Sequence, residues 1–323
     1  MRSRYPLFAI AALLAAAGPG LQAAHGAGQT LASGTQVSYY PITRAEAPIT
    51  VDGSLEEYPW QRAEQINGFD RILNDYDPVN HPTRAKMLWD DENLYIGFAC
   101  PDPDIWAIYR NEDDALWEEE VVEAFIDPDG DGRDYLELEV NPLNAVVDLK
   151  IFELLPAWRS DIDWDIAGLK TAVKVMGTVN DSLAVDQGWT VEIAIPWSAM
   201  TSGIGGGGRP SPGDSWRLNL YRIERQAGRD LKARIDALQA QAGPLFRQQA
   251  ELLAAQGVKE PEQLRGKARR QYDDLAAQLK PLEAQLKPMN ERFNDETEYT
   301  AWSETFQRGF HHPARFGVVQ FVK

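Results

Sequence analysis

The carboxylates of one short turn have the spacing of a calcium-binding loop. The candidate ligands are Asp127, Asp129, Asp131 and Asp134. The first three alternate along the turn and lead to Gly132, as in loops that present oxygen atoms to calcium. The twelfth position from Asp127 is Leu138 and not a glutamate, which excludes an EF-hand. A solvated hairpin turn uses the same residue types, so the sequence predicts either a calcium site of another kind or a simple turn.

Trp117 is the aromatic residue with the most unusual surroundings. It stands in an acidic stretch, residues 113–120, that has the composition of a loop. An aromatic ring in such a place is either a platform for the apolar face of a pyranose or a lid on the core. By contrast, Trp89, Trp189 and Trp197 stand in apolar, strand-like patterns and are predicted to be buried.

Other residues that could do chemistry lack a specific pattern. Asp161, Asp163 and Asp165 alternate around a tryptophan and form a weaker candidate for a metal site. His311 and His312 are adjacent, so on a strand they would point to opposite faces. None of the 49 acidic residues stands in a recognisable catalytic motif. We therefore predict no catalytic residue, since glycoside hydrolysis needs two carboxylates at a set separation.

Short strands must position these candidates. The predicted strands are 85–90, 93–100, 121–127, 135–141, 171–175, 189–195 and 216–223, with strand-like sequence again at 299–305 and 316–322. In the fourth of them, Leu136, Leu138 and Val140 alternate with polar residues, which is typical of a half-buried strand. Because no long helix interrupts the strands up to residue 225, the pattern predicts an antiparallel β-sandwich.

A different pattern occupies residues 227–291. This segment is rich in Ala, Gln, Leu, Lys and Arg, and its leucines recur at helical spacing. Gly257 is expected to end one helix and Pro261 to begin the next, which predicts an antiparallel α-helical hairpin. Since strand-like sequence follows it, the hairpin is predicted to be an insertion in the β domain. Its charged outer face suits either a protein partner or a soluble hairpin.

Composition and charge exclude several classes of partner. The chain has 323 residues and a formal net charge of −17. This acidity argues against nucleic acid and against an anionic membrane surface, because both attract clustered Lys and Arg. The single cysteine excludes an intramolecular disulfide and a cysteine-rich zinc site. Neutral molecules and cations remain as ligands.

The first 26 residues have the layout of a cleaved signal peptide. Two arginines precede an apolar stretch at residues 7–17, and small residues follow it. This stretch is too short to cross a bilayer, and no later segment reaches about 18 consecutive apolar residues. We therefore expect an exported protein, periplasmic or extracellular, without a membrane span.

Several short motifs occur in a fixed order along the chain. They are residues 49–53 with Trp60, 87–90 leading to 93–96, 121–127 after Trp117, 135–141, 188–197 and 315–317. Together they resemble the family 9 carbohydrate-binding modules over about 47–225 and 299–323, within a β-sandwich of 39–323. The resemblance implies an immunoglobulin-like sandwich with structural calcium that binds a mono-, oligo- or polysaccharide between two aromatic side chains.

The resemblance also assigns binding residues by position. One aromatic wall falls on Trp117 and the other on Phe310, where the family has a tryptophan. The acid that grips the sugar hydroxyls falls on Glu123. The asparagine at the end of the next strand falls on Asn141.

A second departure from the family lies two residues before that asparagine. The family has an arginine there, and this chain has Glu139. An arginine donates hydrogen bonds and an ionised glutamate only accepts them, so the recognition of the sugar end does not transfer unchanged. Trp302 and Arg110 are the candidates that would compensate for the two departures.

These observations predict an exported, non-catalytic carbohydrate-binding protein with a part in carbohydrate catabolism. Two alternatives remain open. One is a hydrolytic protein or a protein associated with a glycoside hydrolase. The other is a haem-binding, DOMON-like sandwich of an exported redox system, in which Met87, Met176 or His81 would ligate the iron. No C-x-x-C-H motif accompanies those three residues.

Overall fold

The structure is a computed structural model that describes residues 28–73, 78–226 and 228–323. The predicted signal peptide, residues 1–26, lies outside the described residues. The strands are β1 (Gly28–Thr30), β2 (Gln36–Arg44), β3 (Asp70–Arg71), β4 (Arg84–Trp89), β5 (Asn93–Pro101), β6 (Val121–Asp127), β7 (Tyr135–Val140), β8 (Val146–Glu153), β9 (Arg159–Asp161), β10 (Lys170–Met176), β11 (Gly188–Pro196), β12 (Ser215–Arg225), β13 (Thr297–Ala301) and β14 (Gly317–Phe321). The α-helices are α1 (Tyr58–Arg62), α2 (Gly228–Ala255) and α3 (Gly266–Asp295).

The strands form two packed sheets that are joined through β2. The order along the hydrogen-bonded path is β10-β11-β5-β4-β2-β14-β12-β6-β7-β8-β9. β2 pairs in parallel with β14 on one side and with β4 on the other. The remaining pairs along this path are antiparallel. The predicted β-sandwich is therefore confirmed, and the expectation of a purely antiparallel arrangement is wrong at β2, because this strand passes between the sheets.

The main core lies between the two sheets. One sheet contributes Val122, Ala124, Ile126, Leu136, Leu138 and Val140, and the other contributes Met87, Trp89, Ile96, Phe98, Trp189 and Val191. These residues alternate along their strands, as side chains that share one face of a sheet must do. Complete burial of one such side chain stabilises the fold by about 1.5–3 kcal/mol. The predicted burial of Trp89, Trp189 and Trp197 is confirmed.

The motif at residues 49–53 packs on the outer face of the sheet that contains β11. The backbone N–H groups of Asp52 and Gly53 each donate to the Glu192 carboxylate at 2.8 Å. The indole N–H of Trp60 donates to the same carboxylate at 2.6 Å. Gly53 has a φ of +84°, and a Cβ there would lie 2.8 Å from the backbone nitrogen of Lys174. This part of the motif therefore has a structural role, and it fixes the segment before α1 onto β11.

The outer face of β7 is also covered, although its alternation predicted a half-buried strand. All six residues of β7 are buried. A second apolar cluster, which includes Phe125, Tyr221, Phe310 and Phe316, lies on this outer face. Two segments that are distant from β7 in the sequence cover this face. One is the segment after α3, and the other is the loop between β8 and β9. Glu137 and Glu139 therefore lie beneath other segments and not in open solvent.

The helical hairpin lies between β12 and β13, so the predicted insertion is confirmed. α2 and α3 pack along an apolar seam of Leu231, Ile235, Ala242, Leu279, Leu286 and Phe293. Trp106, from the loop after β5, joins this seam. Its indole N–H donates to the carbonyl of Arg225, at the end of β12, over 3.1 Å. The base of the hairpin is thereby attached to the sandwich.

Candidate binding pocket

A cavity of about 1150 Å³ opens on the outer face of the sheet formed by β12, β6, β7 and β8. Its ring-bearing lining residues are Trp117, Phe125, Trp158, Tyr299, Phe310 and His311. Its acidic lining residues on the sheet are Glu123, Glu137 and Glu139, which we call the cavity cluster. The cavity thus combines aromatic walls with an acidic floor.

Two tryptophans expose about half of their surface at this cavity. Trp117 lies in the turn before β6 and is 45% exposed. Trp158 lies in the loop between β8 and β9 and is 50% exposed. The ring of Trp158 makes an edge-to-face contact with that of His311, with 4.5 Å between the ring centroids. Both indoles therefore offer free aromatic surface to a ligand.

Phe310 is a more deeply set wall. It is 7% exposed, and its ring stacks on that of Tyr221 with centroids 4.2 Å apart and planes 9° apart. The Tyr221 hydroxyl also donates to the carbonyl of Phe310 at 2.8 Å. This double contact fixes the ring in place and leaves it little free surface.

Strand register brings the cavity cluster together. Glu123 on β6 is directly opposite Glu139 on β7, and Glu137 lies two residues before Glu139 on the same face. One carboxylate oxygen of each residue lies within 4.8 Å of the other two. The three residues are only 2%, 6% and 1% exposed in the order Glu123, Glu137 and Glu139. Their mutual repulsion is therefore poorly screened by solvent.

The cavity cluster lacks a matching cation in the part of the chain that the structure describes. No described Lys or Arg forms an ion pair with any of the three glutamates, and the Nε2 atom of His311 lies 3.6 Å from one oxygen of Glu137, beyond hydrogen-bond distance. One oxygen of Glu137 and one of Glu139 are buried without a hydrogen-bond partner. A buried polar atom without a partner is costly, so these oxygens are prepared to accept hydrogen bonds from a ligand.

Burial raises the pKa of each carboxyl group in the cavity cluster. For Glu137 the pKa rises to about 8. For Glu123 burial acts together with the charge of Glu137, and the charge of Arg225 opposes them. For Glu139 the charges of Glu123 and Glu137 add to the effect of burial. The cluster therefore holds protons that an exposed glutamate releases, unless a cation takes their place.

The nearest basic side chains have other roles. Arg225 donates to the carbonyl of Trp117 at 2.8 Å and to the hydroxyl of Thr297 at 3.1 Å. Its guanidinium also lies over the ring of Phe293, 4.6 Å from the centroid. Burial lowers the pKa of His311 to about 4, so this imidazole is neutral at pH 7. Arg225 thus holds the rim of the cavity, and His311 supplies no charge at neutral pH.

The structure brings together three of the six residues predicted to bind sugar. Trp117, Glu123 and Phe310 all line the cavity. Asn141 does not, because its amide donates to the carbonyl of Tyr109 at 2.9 Å and to Glu119 at 2.6 Å. Its side-chain oxygen accepts the backbone N–H groups of two residues in the following turn. Its hydrogen-bonding groups therefore have partners inside the protein.

Trp302 and Arg110 also lie away from the cavity lining. Trp302 is 5% exposed and belongs to the main core, where its ring meets that of Tyr40 edge to face at 6.4 Å. Arg110 is exposed in the segment before Trp117. Neither residue compensates for the glutamate at position 139 in this structure. Trp158 and Glu137 are the important lining residues that the sequence prediction missed.

The aspartates of the predicted calcium loop meet at the turn after β6. Carboxylate oxygens of Asp127, Asp129 and Asp131 lie within 4.8 Å of one another. Asp127 is 1% exposed and accepts the backbone N–H groups of Gly130 and Gly132 at 3.0 Å each. Asp134 does not belong to this group. The donor chemistry of the first three residues fits calcium, which prefers carboxylate oxygens.

The sequence comparison now decides the family. The model of the carbohydrate family 9 binding domain-like family matches residues 51–226, more than half of the chain. The chain belongs to this family. The matched segment contains Trp117, Trp158 and the whole cavity cluster, and it ends before α2, so the resemblance seen in the sequence is confirmed and the helical hairpin lies outside it.

A curated relative and two solved structures are similar to the chain to different extents. Endo-1,4-beta-xylanase A of Thermotoga neapolitana is 25% identical over 167 residues, which are 50% of this chain and 12% of the xylanase. The chain thus spans a small part of that enzyme. A structure from Bacteroides uniformis, 13% identical, has a TM-score of 0.52 over 88% of this chain and 98% of that one, and shows the same fold. A family 9 module from Caldicellulosiruptor kristjanssonii, solved with cellotriose, is 15% identical with a TM-score of 0.47 over 88% and 94% of the two chains.

Proposed function

We propose that the chain is an exported, non-catalytic protein that binds a saccharide in the cavity above Glu123, Glu137 and Glu139. The observation that carries the proposal is the pair of half-exposed indoles, Trp117 and Trp158, at a concave site with an acidic floor. A pyranose has an apolar C–H face that packs on such a ring, while its hydroxyl groups need polar partners. The cavity offers both kinds of contact.

The shape of the cavity supports the same function. Its volume of about 1150 Å³ is slightly above the range of about 300–1000 Å³ that is common for small-molecule sites. It therefore has room for a sugar unit with part of a chain. Mono-, oligo- and polysaccharides are all candidate ligands, and the open rim at Trp117 and Trp158 favours those that extend beyond one ring.

Replacement of Trp117 tests the proposal. We expect Trp117→Ala to weaken saccharide binding at least about tenfold, which corresponds to about 1.4 kcal/mol of lost contact energy. Phe246→Ala is the matched control, because Phe246 is also 45% exposed but lies on α2. Isothermal titration calorimetry against an oligosaccharide found by a glycan screen measures both. Unchanged affinity in a folded Trp117→Ala protein would contradict the site assignment.

Glycoside hydrolysis is the second candidate, because three carboxylates meet at the floor of the cavity. A glycosidase holds one carboxyl group neutral as the acid and keeps another ionised. Here burial raises the pKa of all three groups in the same direction, so the cluster does not divide these roles. We therefore favour binding. Release of reducing sugar from cellotriose or xylan by the purified protein would support the hydrolase.

A haem site finds little support in the structure. Met87 is completely buried in the main core, whereas Met176 is 39% exposed at the end of the edge strand β10. The backbone N–H of His81 donates to Glu298, on β13, at 3.3 Å. The three candidate ligands thus lie in different surroundings. A Soret band in the visible spectrum of the purified protein would reverse this conclusion.

Export, calcium and a protein partner belong to the same proposal. No helix in the described ranges is long and apolar enough to cross a membrane. Export to the periplasm or the medium follows from the signal-like residues 1–26, and N-terminal sequencing of the mature protein tests it. Calcium is proposed at Asp127, Asp129 and Asp131. A protein partner on the helical hairpin stays a prediction.

A further inference from the structure

The floor of the cavity has acceptors without donors. The charged and titratable side chains that line it besides the cavity cluster are Arg71, Arg225, Asp295, Tyr299, Arg308 and His311. Arg71 pairs with Glu298 at 2.8 Å, and Arg225 is engaged by backbone carbonyls and a threonine hydroxyl. Arg308 is exposed at the rim. The Nε2 atom of His311 lies 3.6 Å from Glu137, too far for a hydrogen bond, and burial lowers the pKa of this imidazole to about 4, so it is neutral at pH 7. None of them supplies the cavity cluster with a hydrogen-bonded positive charge.

The surroundings of the cavity cluster favour an organic cation over a metal ion. The residues directly opposite Glu137 on its two neighbouring strands are Phe125 and Leu149, and both line the cavity. Calcium takes six to eight oxygen ligands, and the sides of this floor are apolar. Exposed aromatic rings stand above it, and such rings attract organic cations.

The spacing of the carboxylates suits an ammonium group. An ammonium offers three N–H donors, one for each glutamate. Acceptors placed about 2.8 Å from its nitrogen in tetrahedral directions lie about 4.6 Å apart. The three carboxylate oxygens of the cavity cluster lie within 4.8 Å of one another. One ammonium can therefore contact all three, including those of Glu137 and Glu139, which have an oxygen without a partner.

We infer that the cavity selects saccharides that carry a free amino group. The ammonium of the sugar binds the carboxylates of Glu123, Glu137 and Glu139, and the pyranose packs on the indoles of Trp117 and Trp158. This inference rests on the proposed saccharide-binding function and names the class of sugar. A neutral sugar leaves the charges of the cluster uncompensated, so it binds only while the glutamates keep their protons.

Sugars matched in size test the inference on the mature protein. Calorimetry at pH 6.5 in buffer with EDTA compares the trisaccharide of glucosamine with its N-acetylated form and with cellotriose. We expect the free amino trisaccharide to bind at least tenfold more tightly than either neutral trisaccharide. Glu139→Gln keeps the shape of the side chain and removes the carboxyl group that ionises when the ammonium binds, so we expect the preference to fall about tenfold while cellotriose binding is retained or improved.

The controls separate loss of the fold from loss of recognition. Glu251→Gln changes an exposed glutamate on α2 and is expected to keep the full preference. Glu123→Gln repeats the test on a different strand if Glu139→Gln does not fold, as judged by circular dichroism. The same preference in both cluster variants as in the wild type would overturn the inference.

The outcomes also distinguish this inference from the proposed function. Equal or tighter binding of cellotriose would overturn the inference and leave the saccharide site standing. Binding that is lost in EDTA and restored by calcium chloride, in Asp129→Asn as in the wild type, would overturn it in favour of a metal bridge at the cavity cluster. If none of the trisaccharides binds at millimolar concentration, the proposed function fails and the inference fails with it.

Discussion

Two groups of three buried carboxylates lie on opposite faces of the sheet that contains β6. They differ in whether a basic side chain of the protein pairs with them. The internal cluster consists of Asp102, Glu120 and Glu224, and its oxygens also meet within 4.8 Å. Arg222 reaches into it, donates to Asp102 at 3.0 Å and pairs with Glu224. The cavity cluster has no such arginine among the described residues. The internal cluster thus carries a cation of its own, and the cavity cluster opens to the outside.

The two clusters are expected to respond differently when one of their charged groups is replaced. Arg222 is 0% exposed, and its guanidinium makes hydrogen bonds to Asp102 and Glu224 in place of water. Removal of one partner from such an arrangement leaves uncompensated charge in the interior. Burial raises the pKa of Glu120 and Glu224 as well, so the cavity cluster is distinguished by the fact that a cation can reach it only from a ligand. Acid clusters of equal size therefore have a structural role in one place and a binding role in the other.

The largest effect is expected from removal of the internal cation. Arg222→Met keeps the bulk of the side chain and leaves three buried carboxylates without an arginine. We expect the free energy of unfolding to fall by about 3–5 kcal/mol, the usual cost of a broken buried ion pair. Urea denaturation followed by tryptophan fluorescence measures it.

Matched variants show whether this loss belongs to the internal cluster. Arg229→Met removes an exposed arginine that pairs with Asp230 at 3.6 Å, and we expect a change below about 0.5 kcal/mol. Glu139→Gln removes a buried carboxyl group whose pKa is raised by burial, and it is expected to leave stability at pH 7 unchanged or raised. If Arg222→Met costs no more than Arg229→Met, the two clusters do not differ as described.

The third group of carboxylates, Asp127, Asp129 and Asp131 in the turn after β6, is less buried than the two clusters, since Asp129 and Asp131 are exposed. We expect calcium chloride to raise the melting temperature by a few degrees, because a ligand at 100 times its Kd adds about 2.7 kcal/mol of stability. Differential scanning fluorimetry with calcium or EDTA measures the shift. Asp129→Asn should reduce it, and Asp181→Asn, in another exposed turn, should not. Equal melting temperatures in calcium and in EDTA would remove this site.

A gradual effect is expected in the pH dependence of stability. The folded protein holds the proton of Glu137 up to a pKa of about 8, whereas the unfolded chain releases it near pH 4.5. The folded state therefore gains stability from this proton below pH 4.5. The gain is lost as the pH rises from 4.5 toward 8, and the free energy of unfolding falls by at most about 1.4 kcal/mol per pH unit. Glu123 and Glu139 act in the same direction. His311, with its lowered pKa, instead costs stability below about pH 6.

Glu137→Gln isolates this contribution because glutamine does not titrate in the range. We expect a flatter plot of the free energy of unfolding against pH between 5 and 8 than for the wild type. Urea denaturation at four or five pH values gives both curves. Parallel curves would mean that Glu137 is not the group that keeps its proton.

Alternation along strands predicted most of the fold, and it failed where polar groups have distant partners. β8 was not predicted, since Asp148 and Lys150 interrupt its apolar residues. Asp148 is buried and accepts the N–H of Ile166, while Lys150 donates to the carbonyl of Ser202 and lies over the ring of Trp164. Such partners lie up to about fifty positions away in the chain, so no local pattern reveals them.

The site was predicted in part for a similar reason. Trp117 stood out because an aromatic residue in an acidic loop is unusual, and Glu123 and Phe310 followed from the family order. Asn141 lies outside the cavity lining, and the order of motifs along the chain does not reveal that its amide is engaged by Tyr109 and Glu119. Trp158 is likewise an aromatic residue in a loop-like stretch, two positions after a proline and directly before an arginine. Its place in the cavity depends on the β8–β9 loop, which the prediction did not contain.

The inserted hairpin has a consequence for anyone who wishes to reduce the protein to a minimal module. Phe293, near the end of α3, supports the guanidinium of Arg225, which in turn holds the carbonyl of Trp117. Asn294 and Asp295 line the cavity itself. Excision of the insertion therefore removes part of the rim as well as two helices. A shortened protein that keeps α3 from Phe293 onward is the one expected to preserve the mouth of the cavity.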